Sequence, residues 1–278
     1  MTIKKSVLIT GCSSGIGLCV AEELHKLDYQ VFASARHKDD VSKLKELGLN
    51  ALLLDLNDSV SIQNAVKQVL QETGGTLYAL FNNGAYGQAG AVEDLSRDVL
   101  RMQFETNLFG WVELTNLVLP VMRKQGYGRI IQNSSILGLV AMPFRGAYNA
   151  SKYAIEGITD TLRLEVSHTC KDIHISLIEP GPIVSQFRAN ALKAFYDNID
   201  RENSVHRELY QRLIDRLEKE GPPAPFTEPP QAVFKRVLHA LESPKPKIRY
   251  YVTVPTYLFA FLRLILPWRW LDTILKRY

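Results

Sequence analysis

The sequence predicts an α/β fold on a doubly wound parallel sheet of about seven strands. Two observations carry that prediction. Near-continuous apolar, β-rich runs recur along the chain: SVLIT, YQVFASA, ALLLDL, LYALFNN, GRIIQNSS, IHISLIEPG and IRYYVTV. Amphipathic segments separate these runs, as a parallel sheet covered on both faces by crossover helices requires. The second observation is a glycine-rich turn, TGCSSGIG from Thr10 to Gly17, that directly follows the first run and opens the first helical stretch.

Between the third and fourth runs, DSVSIQNAVKQVLQET spaces Val60, Ile62, Ala65, Val66, Val69 and Leu70 for one helix face, with Asp58 as the N-cap. The fourth run passes into FNNGAYGQAG, a small-residue stretch expected at the C-terminal edge of the sheet. From Gln186 to Pro230 the pattern changes to a charged amphipathic helix, RENSVHRELYQRLIDRLEKEG, and a rigid proline-rich loop, PPAPFTEPP. It reads either as a solvated helical excursion or as a substrate lid. The lid is favoured, because ligands of open α/β sheets bind beyond the C-terminal ends of the strands. The last helix, QAVFKRVLHALES, and the last strand follow. With no repeat, low-complexity tract or early linker, residues 1–278 read as one domain with a lid at 186–230 and an apolar tail at 256–278.

Composition excludes several classes. Hydrophobic residues make up 46% and charged residues 22%, ordinary for a globular protein and not for a disordered one. The net charge is +4, with 33 basic residues scattered among 29 acids, so no nucleic-acid surface is implied. Cys12, Cys19 and Cys170 have no CxxC spacing, so they give neither a disulfide framework nor a zinc site, and a reducing compartment fits. No histidine pair has metal-ligand spacing, and no metal is expected. MTIKKSVLIT reads as a first strand, not a signal peptide, which makes a cytoplasmic location the expectation.

In the turn, Gly11 permits the tight bend, Gly15 lets backbone N–H groups approach a pyrophosphate, and Gly17 lets helix and strand pack closely. Its spacing is T-G-x-x-x-G-x-G. Further along, YNASK supplies Tyr148 and Lys152, Ser135 lies 13 residues before Tyr148, Asn107 sits in NLFG, and PGPI spans Pro180 to Ile183. In this order and spacing the motifs resemble the short-chain dehydrogenase/reductase family over residues 5 to about 185. SVLITGCSSGIG, IEPGPI and KPKIRYYVT look most like its branch of retinol-dehydrogenase-like and hydroxysteroid-dehydrogenase-like enzymes and bacterial aldehyde reductases. The resemblance implies a Rossmann-type fold, a nicotinamide cofactor and interconversion of carbonyl and alcohol.

The residue chemistry agrees. Tyr148 and Lys152 stand four apart and share a helix face. A free tyrosine, with a pKa near ~10, is a poor base at neutral pH, and a neighbouring ammonium lowers that value. Tyr148 would exchange the proton with the substrate oxygen, and Ser135 would hydrogen-bond the same oxygen. By resemblance, Lys152 also bonds the nicotinamide ribose and Asn107 helps hold a proton-relaying water; Asn107 reads equally as a helix-kinking or capping residue. Leu137 and Phe187, with Val140, Met142, Phe144 and Phe195, suggest an apolar substrate: aldehyde, retinoid-like or steroid-like.

The second strand ends at Ala35 with no carboxylate to bond a ribose 2′-hydroxyl, and Arg36 follows. A guanidinium can bind a 2′-phosphate with paired hydrogen bonds, so NADP(H) is expected over NAD(H). Implied cofactor contacts are Gly11, Ser13, Ser14, Gly15, Ile16, Gly17, Arg36, Asp55, Leu56, Asn82, Gly84, Tyr148, Lys152, Pro180, Gly181, Ile183 and Ser185. Asp55 would accept from the adenine amino group, and Ser185 stands where the family commonly has a threonine on the carboxamide. FNNGAYGQAG departs from the family's N-N-A-G: Gly84 and Ala85 are exchanged, which predicts backbone strain at Ala85.

The tail, PTYLFAFLRLILPWRWLDTILKRY, is interrupted by Arg263 and Pro267 and is too short and charged for a spanning helix. Trp268, Arg269, Trp270, Lys276 and Arg277 suit a helix at a membrane interface. Burial against the catalytic domain, or in a contact between subunits, is the alternative, and a homo-oligomer is expected from the family. A further alternative to an enzyme is a catalytically silent NADPH-binding sensor or scaffold; such modules often lose the tyrosine or lysine, and both remain here.

Overall fold

A computed structural model gives the architecture and describes residues 4–219, 221–222 and 224–276. Strand β1 (Ser6–Ile9) lies between β2 (Gln30–Ala35) and β4 (Ala79–Asn82), and β3 (Asn50–Leu53) closes one edge. On the other side follow β5 (Gly128–Asn133), β6 (Ile173–Pro180) and β7 (Arg249–Val252). All pairings are parallel in the order 3-2-1-4-5-6-7, with Ile9 opposite Phe81 and Phe81 opposite Ile131. The expected seven strands thus form one doubly wound sheet. Its order reverses between β1 and β4, so a crevice opens beyond their C-terminal ends.

Alternating side chains fill two cores, which is why the strands read as unbroken apolar runs. Val7, Ile9, Ala33, Phe81 and Ile178 face α1 (Gly15–Lys26), α2 (Lys38–Glu46) and α9 (Gln231–Glu242). Leu8, Phe32, Leu80, Ile130 and Leu177 face α3 (Ser59–Glu72), α5 (Gly110–Gln125) and α6 (Gly146–Ser167). The Asp58 carboxylate caps α3, accepting from Val60 N at 2.9 Å. Ile62, Ala65, Val66 and Val69 are buried as expected, whereas Val60 is exposed, lying about 200° around the helix from Ile62.

Helix α4 (Arg97–Phe104) runs into α5 through a π-helical turn, Glu105–Phe109, that carries Asn107. Asn107 therefore lies in a π-bulge, a feature found often at functional sites. Gly110 lets the helix pass β3's exit: a Cβ there would come within 2.2 Å of the Leu56 carbonyl oxygen.

Residues 186–230 hold two helices, α7 (Phe187–Asn198) and α8 (Arg207–Glu218). The expected long helix begins only at Arg207, since the residues before it form turns. The segment is not a solvated excursion. Phe195, Ile199, Tyr210, Leu213 and Ile214 pack with Ala89, Ala91, Leu95 and Val99 in a third core over the strand ends. Part of the proline-rich loop folds back onto the chain after β6, with Val184 N to Glu228 O at 3.0 Å and Glu228 N to Pro182 O at 3.1 Å; Glu220 and Pro223 lie outside the described residues.

The tail forms α10 (Val254–Ile265) and α11 (Trp268–Leu275). Their inner residues Phe259, Leu271 and Leu275 join a fourth cluster with Ile136, Leu137, Val140 and Tyr148. Among the described residues no helix is long and apolar enough to cross a membrane.

Candidate active site

The glycine turn sits at the reversal point of the sheet. Gly11 (φ +69°) and Gly15 (φ +58°) adopt left-handed backbone, which a side chain would strain. A Cβ on Gly17 would lie 2.2 Å from the Gly11 carbonyl oxygen, and one on Gly11 would lie 2.6 Å from Gly84 Cα. Ser14 precedes α1 in extended conformation and its hydroxyl does not cap the helix. The first N–H groups of α1 therefore face the crevice unspent on a side-chain cap, beside Ser13 and Ile16, as a pyrophosphate site requires. Cys12 and Cys19 are buried, and burial pushes the Cys12 thiol up to about 12, so neither is poised to react.

The asparagine pair departs from expectation. Asn82 is fully buried and donates to Thr115 Oγ1 at 3.0 Å, on the α5 side of the sheet, so its side chain does not face the crevice. Asn83 instead faces the glycine turn. Its amide donates to the carbonyls of Thr10 at 2.9 Å and Gly11 at 3.2 Å, and its oxygen accepts from Asn133 Nδ2 at 2.9 Å. Strand alternation explains the correction, because Asn82 shares parity with Leu80 and the next residue must face the other way.

Thr10 Oγ1 accepts from both Asn83 N and Gly84 N, at 2.8 and 2.9 Å, binding this strand end to the glycine turn. The strain expected at Ala85 is absent: it is not among the residues with positive φ, and its methyl packs against the second core. Position 84 is the crowded one, where a Cβ would stand 3.1 Å from Leu56 Cδ1 and 3.3 Å from Gly11 N.

Helix α6 carries Tyr148 and Lys152 on one face, both buried. The Lys152 ammonium donates to the Asn133 carbonyl at 2.7 Å and lies 4.5 Å from the Trp111 ring centroid and 5.6 Å from that of Tyr148. Ser135 follows β5 and starts a short 3₁₀ turn; its oxygen accepts from Leu137 N at 3.1 Å. With that lone pair engaged, its proton is free to be donated. The Ser135 hydroxyl favours the ionised form of the Tyr148 phenol, and that of Ser134 favours the ionised form of Glu156.

The Asn107 amide spans the strand exit, accepting from Tyr86 N at 3.1 Å and donating to Tyr86 O at 2.9 Å and to Ser151 Oγ at 3.1 Å. Its side chain thus fixes the crevice wall.

Burial dominates the electrostatics. It pushes the Tyr148 phenol up to about 12, against the Ser135 hydrogen bond and the charge of Arg145. It pulls the Lys152 ammonium down to about 7, against the charge of Glu156. A buried phenol and a buried ammonium each destabilise their charged form alone and stabilise it together.

Around the rim, Arg36 is exposed at the tip of β2, donates to His37 at 3.1 Å and acts on the Tyr86 phenol across the crevice. Among the described residues it has no carboxylate partner within 4.0 Å. Asp55 accepts from Asn57 N at 2.9 Å, which makes it a turn cap, and Leu56 is buried. Gly181 follows Pro180 under the β7 exit, where a Cβ would meet Thr253 Oγ1 at 2.2 Å. Ile183 is buried, and Ser185 closes over the glycine turn, its Cβ 3.2 Å from a Cβ built on Gly15. On the substrate side, the Phe187 ring meets Tyr148 edge-on at 5.1 Å, and Leu137 is buried in the same cluster as Tyr148. Phe195, by contrast, is buried in the lid core, away from that cluster, and Phe144 packs there too.

Sequence reasoning missed Asn83, Tyr86, Trp111 and Glu156. Strand parity gives Asn83, and the i, i+4 step from Lys152 gives Glu156. Trp111, which bonds the Gly84 carbonyl at 2.8 Å and faces Lys152, left no signal beyond an apolar helix face.

A sheet of this order, a glycine turn fitted to a dinucleotide pyrophosphate, and a Ser-Tyr-Lys cluster beside it define a nicotinamide-dependent oxidoreductase of the short-chain type. The sequence pattern of the short chain dehydrogenases matches residues 5–194, and this chain belongs to the short-chain dehydrogenase/reductase family. It is 42% identical over 274 residues to the uncharacterized oxidoreductase YbbO of Escherichia coli (strain K12), covering 99% of this chain and 95% of that one. It is 33% identical to human 17-beta-hydroxysteroid dehydrogenase type 1, covering 89% and 77%, and 33% identical to human retinol dehydrogenase 8, covering 88% and 80%. Among solved structures, a short-chain dehydrogenase from Streptomyces avermitilis superposes with a TM-score of 0.76 at 24% identity, covering 98% and 94%. Actinorhodin polyketide ketoreductase with NADPH superposes at 0.72 and 26% identity, covering 90% and 95%.

Proposed function

We propose that the enzyme is an NADP(H)-dependent reductase or dehydrogenase that interconverts carbonyl and alcohol on apolar aldehyde, retinoid-like or steroid-like substrates. The observation that carries the reading is the catalytic cluster: Ser135 with its acceptor side engaged by Leu137 N–H, acting on a buried Tyr148 that shares a helix face with Lys152. The bound cofactor supplies or accepts hydride. Ser135 and Tyr148 direct their hydroxyls at the substrate oxygen. Tyr148 gives its proton to the carbonyl oxygen in reduction and takes the hydroxyl proton in oxidation, while Lys152 stabilises the phenolate. Arg36, with no carboxylate partner among the described residues, supports the choice of NADP(H). Apolar neighbours of Tyr148, among them Leu137, Phe187, Phe259 and Leu271, support the substrate class. With both Tyr148 and Lys152 at the cluster, nothing favours a silent sensor or scaffold.

In the same reading, residues 186–230 act as a substrate lid on one domain, the enzyme is a cytoplasmic homo-oligomer, and its tail makes a peripheral membrane contact. The inner face of the tail is buried against the catalytic cluster, while Leu264, Trp268 and Trp270 on the outer face are more than 65% exposed at 83%, 68% and 67%. Arg263, Arg269 and Lys276 accompany that face with Asp272 as the one acid; Arg277 lies outside the described residues. Exposed tryptophans beside cations suit an anionic lipid surface. The chemistry is tested by NADPH oxidation against a panel of aldehydes and ketones, repeated with NADH. Turnover of medium-chain or ring-bearing carbonyls with NADPH is expected; cofactor binding without turnover across the panel would overturn it.

A further inference from the structure

Helix α6 buries a carboxylate that the reaction as described leaves unused. Glu156 stands one turn beyond Lys152 and two beyond Tyr148, so the three share one stripe of the helix. It is 8% exposed and lies under the turn that carries Ser135: a Cβ on Gly138 would meet Glu156 Cγ at 2.9 Å and Oε1 at 3.1 Å. Facing it is Glu179, fully buried at the end of β6, immediately before Pro180.

One cation serves both acids. Arg249 of β7 lies 3.1 Å from Glu156 Oε2 and 3.2 Å from Glu179 Oε1, and it also forks onto Asp160 of α6 at 2.7 and 3.1 Å. Among the described residues Arg163 pairs with Asp160 alone, at 3.1 Å. Glu156 and Glu179 converge on one guanidinium in a buried site, and adjacent buried carboxylates of this kind share a proton. Burial pushes both carboxyls up; the charge of Glu156 raises Glu179 further, whereas Ser134 and Arg249 draw Glu156 back, which places the shared proton on Glu179. The Tyr153 and Tyr251 phenols also feel Glu156 and are raised above the ordinary tyrosine value, so neither changes charge at neutral pH.

We propose that Glu156 is the counter-charge that keeps buried Lys152 an ammonium, with Glu179 holding the proton of the acid pair. Glu156 is thus a positioning residue acting through Lys152, and this role rests on the Tyr148–Lys152 reading above. Without the Glu156 charge, Lys152 loses its proton at lower pH, and Tyr148 returns to the poor acidity that burial imposes.

The test is the pH dependence of alcohol oxidation in a single turnover with saturating NADP⁺, in the full-length enzyme. Glu156→Gln should bring the alkaline fall in rate at least about one pH unit lower, roughly a tenfold loss at a pH the parent tolerates. Glu156→Asp should keep the parent's alkaline limit. Glu179→Gln should leave the rate near neutral pH within about twofold, since Glu179 is already uncharged there. Glu156→Met fills similar volume without charge and gives the same expected shift should the glutamine variant fail to fold. A rate lowered by one factor at every pH, with the limb unmoved, would mean that Glu156 only packs and would overturn the proposal. The Tyr148–Lys152 reading fails separately, by an active Tyr148→Phe.

Discussion

Replacing Lys152 by methionine isolates what its ammonium does for Tyr148. Burial sets the Tyr148 phenol at about 12 even with Ser135 and Arg145 opposing it. At pH 8 a phenol of that pKa is ionised in about one molecule in 10⁴, equivalent to about 5 kcal/mol of lost driving force for proton abstraction. Lys152→Met should therefore lower the single-turnover rate of alcohol oxidation at pH 8 by on the order of 10³ to 10⁴. Because phenolate is then the scarce species, the logarithm of the residual rate should climb by about one per pH unit towards pH 11. Methionine approximates the length of the lysine stem and can stay against Trp111, so folding is expected to survive; thermal unfolding of the variant checks this. A variant within tenfold of the parent at pH 8, or one whose pH profile runs parallel to it, would refute the claim that Lys152 acts through the Tyr148 charge.

Two further outcomes follow from the rim and the tail. Arg36→Ala should raise KM for NADPH by about 10- to 100-fold, as loss of a charge-assisted fork on a phosphate implies, and leave KM for NADH nearly unchanged; equal effects on both cofactors would remove Arg36 from the 2′-phosphate. Trp268→Glu with Trp270→Glu should abolish sedimentation with anionic vesicles while turnover of a small water-soluble aldehyde persists, and unchanged sedimentation would reject the membrane contact. Surface substitution is the sharper probe, because truncating the tail would strip Phe259, Leu271 and Leu275 from the cluster that holds Tyr148.

The sheet was legible because each strand is covered on both faces and its apolar run therefore has no gaps. The glycine turn was legible because its backbone requires glycine, and Ser135, Tyr148 and Lys152 because their spacing resembles that of the family. Legibility failed where one residue decides a face. Asn82 and Asn83 are chemically identical, and only their parity in β4 sends one to Thr115 and the other to the Thr10 and Gly11 carbonyls. Helix α7 escaped because FRANALKAFYDN shows little amphipathic contrast, and it is held by a tertiary core shared with the loop after β4. Strain was expected at Ala85 from a motif comparison, but backbone torsion is set by local packing, and the crowding falls on Gly84. Burial against the catalytic domain describes only half of the tail, since one face of α10 and α11 is buried and the other exposed.

The central claim is that Tyr148 moves the proton of the substrate oxygen. Its most direct test is Tyr148→Phe, assayed side by side for NADPH binding by fluorescence titration and for carbonyl reduction. The phenyl ring keeps the packing against Phe187, so cofactor affinity within about threefold and a turnover loss of at least about 10³ are expected. Undiminished turnover in that variant would contradict the account.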